Sequence, residues 1–370
     1  PATSGLGPSG QSHAILGQMK VGDVLAVLRN DGWPQMRIGK AVSVSAMFFT
    51  LALTNLPTSA QGRGDLSGTP TAADTAFPAW AYPWDPNVEL PPGDDEPRRV
   101  PGSSATFSMA QARDLYFAPD WHPDDHPPMP EIVARGRKPA VRACGSCHRA
   151  EGTGGPENAS LAGLPAAYIL QQIADFKSGA RKASGPARGP VLLMLANAKA
   201  LTEAEMQVAA DYFSRLRPKA LIKVIETDVV PMTRLNRNHY VALTSGEKEP
   251  IGQRIVEVPV DADRFELRDA RSPFIAYAPT GSIARGEALA RTGGNGKTVA
   301  CATCHGPELK GVGPTPSIAG RSPSYVVRQL HDFKAGTRAG SLNALMRPTV
   351  AKLTVDDMVA LAAYLASLAP

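Results

Sequence analysis

Apolar residues recur at helical spacing in two separate parts of the chain, and the two parts repeat each other. Ile169, Ile173 and Phe176 make one stripe, and Val326, Leu330 and Phe333 make the same stripe 157 positions later. Steps of three and four residues place side chains on one face of a helix. The match extends around the stripes. Leu161-Ala162-Gly163 corresponds to Ile318-Ala319-Gly320, Tyr168 to Tyr325, and Asp175-Phe176-Lys177 to Asp332-Phe333-Lys334. Gly179 and Arg181 correspond to Gly336 and Arg338. In the second copy Ser322 and Pro323 supply a cap and a first turn. A five-residue shift then changes the offset to 152. Thr202-Glu203-Ala204-Glu205 and Thr354-Val355-Asp356-Asp357 read as capping-box starts. The helices behind them carry Met206, Ala209, Phe213 and Leu216, and Met358, Leu361, Leu365 and Leu368. The repeat predicts two helical domains, over 106–217 and 282–370.

The pattern changes outside the copies. Ile222–Glu226 and Arg254–Val258 alternate like short strands between proline and glycine, so 218–281 is expected to be a small β-rich insert packed across both domains. Residues 61–105 are rich in Pro, Gly, Ser and Asp and read as a flexible, disordered arm. Earlier still, Met36-Arg37-Ile38-Gly39-Lys40 is a basic start, Ala41 to Leu53 is mostly apolar, and Thr58-Ser59-Ala60 is a small-residue cleavage site. Basic start, short apolar core and small residues in that order describe a secretory signal peptide over 36–60. On that reading, 1–35 is an upstream extension and translation starts at Met36.

The chemistry lies in Cys144-Gly145-Ser146-Cys147-His148 and Cys301-Ala302-Thr303-Cys304-His305, which together use all four cysteines. C-x-x-C-H is the attachment spacing of c-type haem. Two thiols one helical turn apart can each add to a vinyl group, and the following histidine supplies the proximal imidazole. A redox C-x-x-C pair or a zinc site needs no histidine behind each second cysteine. Two covalent haem c groups are therefore expected, on Cys144 and Cys147 and on Cys301 and Cys304, with His148 and His305 on the irons. The scarcity of aromatics, 6%, suits a core partly filled by porphyrin. The net charge of +5 falls to +3 over 61–370, which gives no case for nucleic-acid binding. His122 and His126 stand four apart with acids between them, but Pro123 interrupts any helix that would align them, so a turn role is expected.

Each haem then needs a sixth ligand or an open position. Met194 and Met346 each stand seven residues before a leucine and eight before the capping threonine, and neither interval holds a histidine. A thioether is a soft donor that suits iron and raises its potential. Met206 and Met358 also match, but they fall on the packing stripes of the final helices. Matched placement makes Met194 and Met346 the expected sixth ligands.

Both halves resemble class I cytochrome c domains, and the tandem resembles the di-haem cytochrome c4 type. The resemblance rests on the two C-x-x-C-H sites, the Leu-Ala-Gly and Ile-Ala-Gly turns, Tyr-x-x-x-Gln before Asp-Phe-Lys-x-Gly-x-Arg, and the methionine before the final helix. It covers about 131–217 and 282–370, and the arm and insert depart from it. It implies a mainly α fold, haem in a crevice with one edge exposed, and single-electron relay in the periplasm. The partners would be redox proteins, a dehydrogenase on one side and an oxidase or reductase on the other, with association at the outer face of a membrane complex. The family also sets a proline carbonyl against each proximal histidine; Pro156 and Pro314 or Pro316 are the candidates, and they do not align between the copies. His331 aligns with Ala174, which assigns it to the surface. The competing readings are a di-haem enzyme, peroxidase-like or thiosulfate-oxidising, and the cytochrome subunit of a periplasmic dehydrogenase. An enzyme would need one open haem with acid or base groups above it, and no acid-rich segment is peculiar to one copy.

Overall fold

The computed structural model describes residues 77–370. The expected signal peptide, the upstream extension and the start of the arm lie outside the described residues. The first domain contains α1 (Met109–Arg113), α2 (Glu131–Ala134), α3 (Cys144–His148), α4 (Ala166–Ser178), α5 (Gly189–Ala200) and α6 (Glu203–Arg215). Its core joins α4 and α6 through Ile169, Ile173, Ala209, Tyr212 and Phe213. The Thr202 hydroxyl accepts from the Glu205 amide, and the Glu205 carboxylate accepts from Thr202, which closes the expected capping box.

The insert contains seven strands, β1 (Ile222–Glu226), β2 (Val229–Pro231), β3 (Thr233–Asn236), β4 (His239–Ala242), β5 (Lys248–Pro250), β6 (Val256–Pro259) and β7 (Phe274–Ala278), and helix α7 (Ala262–Glu266). β1, β7 and β6 form one sheet in that order, while β2 pairs with β5 and β3 with β4. β1 leaves the first domain and β7 leads into the second. They run parallel in register from Ile222 against Phe274 to Glu226 against Ala278.

The second domain contains α8 (Ser282–Thr292), α9 (Ala302–His305), α10 (Pro323–Lys334), α11 (Met346–Val350) and α12 (Val355–Ser367). α12 is buried almost all round, from Asp357 to Ala366, whereas α6 buries one face. A helix apolar on every side needs neighbours on every side. α12 packs on α8 and α10, and its remaining face receives Ile255 and Ala278 of the insert through Val359 and Ala363. Gly286 permits the α8 crossing, because a Cβ there would collide with the Ala360 carbonyl.

The insert touches both domains, as its position requires. Toward the first, Trp121 Nε1 donates to the Leu267 carbonyl at 2.7 Å. Toward the second, the Glu257 carboxylate accepts from the Ser322 hydroxyl at 2.8 Å and the Ser324 amide at 3.1 Å.

The arm differs from the expectation where it is described. Ala81 and Tyr82 are buried in the second-domain core. The Tyr82 hydroxyl donates to Asp332 at 2.7 Å, and its ring and Phe77 both pack against His331. His331 is therefore half-buried under the arm rather than a free surface group. The composition of 61–105 reads as a tether because its anchors are few and their partners lie far away in the chain. His122 and His126 flank a single turn over Pro123–Asp125, but their side chains reach out of it: His122 pairs with Asp269 of the insert at 3.0 Å and His126 with Asp120 at 3.1 Å.

Candidate haem sites

Each C-x-x-C-H segment forms one short helix, α3 or α9, so its two thiols lie a turn apart and its histidine ends the helix. The next residue has positive φ in both copies, 68° at Arg149 and 81° at Gly306. Glycine adopts such a backbone freely, whereas a side chain there costs about 1–3 kcal/mol. Arg149 is held in that strained turn by burial, with its guanidinium 4.8 Å from the centre of the Phe265 ring of the insert.

The histidines are oriented identically. His148 Nδ1 donates to the Ala159 carbonyl at 2.8 Å, and His305 Nδ1 to the Pro316 carbonyl at 2.7 Å. In each case the acceptor lies eleven residues further on. Pro316 is one of the expected prolines, but Pro156 is not the matching acceptor. The Pro156 carbonyl instead receives Arg328 Nη2. The equivalent of Pro316 is Ala159, at the offset of 157 that already relates the cysteines. That alignment was the signal available in the sequence; the search for proline missed it.

A carbonyl on Nδ1 fixes the tautomer and leaves Nε2 as the available donor. Burial pushes both imidazoles below the usual histidine range, more than the Ala159 or Pro316 carbonyl restores, and so favours the neutral ligating form. Burial also pushes the Cys144 thiol up to about 12 and the Cys301 thiol to about 11.

A largely apolar cavity in the first domain is lined by Cys144, Cys147 and His148, by Met194 and Leu201 from α5 and its end, and by Ile169, Ile173, Phe176 and Phe213. The donor set fits haem c: two thiols, one tautomerically fixed imidazole, one thioether and an apolar surround. In the second domain Met346 starts α11 and is half-buried against the core that also receives Cys301, Ala302 and Leu330. Cys304 is exposed, whereas Cys147 is half-buried.

The first cavity is also walled by the second domain, through Tyr325, Arg328, Gln329 and Asp332. The insert lengthens the chain between the domains without holding them apart. Sequence reasoning assigned the repeated Tyr, Gln and Arg to the resemblance and missed this shared boundary.

The cytochrome c family model matches residues 133–217 and 283–369. The thiosulfate dehydrogenase electron acceptor of Thiomonas intermedia is 29% identical over 234 residues, 62% of this chain and 80% of that protein. Cytochrome c4 of Pseudomonas aeruginosa is 26% identical over 243 residues, 64% of this chain and 89% of that protein. Cytochrome c-554(547) of Halothiobacillus neapolitanus is 37% identical over 84 residues, 20% of this chain and 92% of that protein. The family match falls twice, once on each C-x-x-C-H helix and the helices that enclose it, and each half carries a covalently bound haem c. The chain belongs to the cytochrome c family, as a tandem di-haem electron-transfer cytochrome resembling the c4 type.

Proposed function

We propose that this cytochrome relays single electrons in the periplasm, with His148 and Met194 as the axial pair of the first haem and His305 and Met346 as that of the second. Cys144 and Cys147 would tether the first ring, and Cys301 and Cys304 the second. The observation that carries the reading is Met194 in the same cavity as Cys144, Cys147 and His148. Bound haem supplies the one-electron couple. The chain's own residues orient the imidazoles through the Ala159 and Pro316 carbonyls and exclude water with apolar walls, and the Met194 and Met346 thioethers would supply the second axial ligands. Two filled axial positions leave no place for a substrate, which favours relay over the enzyme readings.

The electron donor we propose is a periplasmic dehydrogenase. Two relatives named as electron acceptors of thiosulfate dehydrogenase support that class, and thiosulfate dehydrogenase is the first to try. Export by the 36–60 segment accords with covalent haem attachment outside the cytoplasm, and mass spectrometry of the mature protein tests it: peptides from 1–60 would exclude cleavage there.

Absorption spectra of the ferric and ferrous protein test the ligands. Two low-spin haems with a methionine–iron charge-transfer band are expected. A high-spin ferric component in the intact protein, or turnover of peroxide, would overturn the relay.

A further inference from the structure

Arg188 is 2% exposed and lies one residue before α5, the helix that carries Met194. Its Nε donates to the Pro83 carbonyl of the arm at 3.3 Å, and its Nη2 has no hydrogen-bond partner among the described residues. It lines the first cavity beside Arg328, which is 3% exposed and is held by the Ala81 and Pro156 carbonyls. Two guanidinium groups are thus fixed at the wall of an apolar cavity by neutral carbonyls rather than by carboxylates. The acids of that wall are engaged elsewhere. Glu157 faces Arg149 and Arg268 at 3.9 and 3.5 Å. Asp332 accepts from Tyr82 and from the Ser184 amide at 2.8 Å. A buried cation with a free donor calls for an anion.

The repeat places no such pair in the second copy: at the offset of 152 that relates Met194 to Met346, Arg188 corresponds to Gly340, and at the offset of 157 Arg328 corresponds to Gln171. We propose that Arg188 and Arg328 seat an acidic side group of the first haem and make that haem the higher-potential of the two. Nearby positive charge favours the reduced iron, which carries one positive charge fewer than the oxidised iron, and it acts strongly where water is excluded. In the half-reduced protein the electron therefore rests on the first haem, having left the second. This rests on the di-haem relay reading.

Spectroelectrochemical titration of the full-length holoprotein tests the proposal. Two one-electron waves are expected, and Arg188→Gln should lower the upper wave by about tenfold in its reduction equilibrium, ~59 mV for one electron, leaving the lower wave in place. Arg188→Lys keeps the charge and should restore most of the shift, which a purely structural role would not produce. Arg328→Gln should move the same wave in the same direction, and it carries the test if Arg188→Gln loses a haem. Movement of the lower wave, of both equally or of neither would overturn the inference. The relay reading would survive any of these so long as both haems remain low-spin with their methionine band.

Discussion

Arg181 and Arg338 pair with each other as an isolated antiparallel bridge, and each guanidinium reaches the tyrosine of the opposite domain. Arg181 Nη2 donates to the Tyr325 hydroxyl at 3.1 Å, and Arg338 Nη2 to the Tyr168 hydroxyl at 2.8 Å. Both also donate to Gln172, at 2.9 and 2.7 Å, and both to Gln329 at 2.9 Å. Each stacks on the phenylalanine of its own copy, Phe176 at 4.5 Å and Phe333 at 4.3 Å. Equivalent residues meet equivalent residues, which is the contact pattern of a two-fold dimer built within one chain.

Arg338→Ala should cost about 3 kcal/mol, because it removes charged hydrogen bonds and leaves the Tyr168 hydroxyl, the buried Gln172 amide and the half-buried Gln329 amide underserved. Tyr168→Phe should cost less, and the double variant should fall short of the sum by about 1 kcal/mol. Denaturant unfolding of the holoprotein checks this. Strict additivity would mean that the two groups are not coupled.

Gly286→Ala places a methyl group against the Ala360 carbonyl where α8 crosses α12. Backbone cannot yield as a flexible side chain can. A loss of about 3 kcal/mol or more is expected, with the second haem bound poorly and the first retained. Haem quantitation on purified protein gives the answer, and equal occupancy with an unchanged melting temperature would refute the close crossing.

Asp357 closes the capping box of α12 and accepts from the Thr354 amide at 2.9 Å, from Arg285 at 2.6 Å and from Lys297 at 2.5 Å. Burial pushes its carboxyl up, but the hydrogen bonds from Lys297, Thr354 and Arg285 outweigh it and hold it below the usual range. A folded pKa below the unfolded value of about 3.9 stabilises the fold above that pH. The contribution is lost as pH falls through the folded value. Asp357→Asn should therefore be about 2 kcal/mol less stable near neutrality and converge with wild type in acid. Unfolding curves from about pH 2 to 7 measure it; a gap that does not narrow below about pH 4 would contradict the assignment.

Met194→Ala should open the first haem alone, and Met346→Ala the second alone. Each should remove about half of the methionine charge-transfer absorbance, introduce a high-spin ferric signal and lower one potential, since a thioether ligand raises it. If either variant left the spectrum intact, that methionine would not be a ligand.

The repeat exposed much of this molecule in one sequence. The stripe at Ile169 and its copy at Val326 located the α4 and α10 helices, and the threonines at 202 and 354 located the starts of α6 and α12. The local chemistry was unambiguous there, because a cap and a helical stripe concern neighbours within a turn or two. Ala159 was harder: its task is done by a backbone carbonyl, which any residue can provide, so residue type was the wrong guide and register the right one.

Tyr82 was out of reach for a different reason. Its partner Asp332 lies 250 positions away, and nothing in a stretch of prolines, glycines and acids signals where it will dock. Arg188 was equally silent, an ordinary cation until the cavity around it is seen. The α12 helix, apolar beyond its first turn, could have been read more fully, since its polarity differs sharply from that of α6. That difference already implied a covering layer for the second domain, and the insert provides it.

The parallel partnership of β1 and β7 acts as a splint between the halves. The exposed turn at 244–247 lies wholly within the excursion that separates those strands. A protease that cut there would produce two bands on a denaturing gel and a single particle in solution, with both cofactors still aboard. Chain continuity through the excursion is thus dispensable for keeping the two redox centres together.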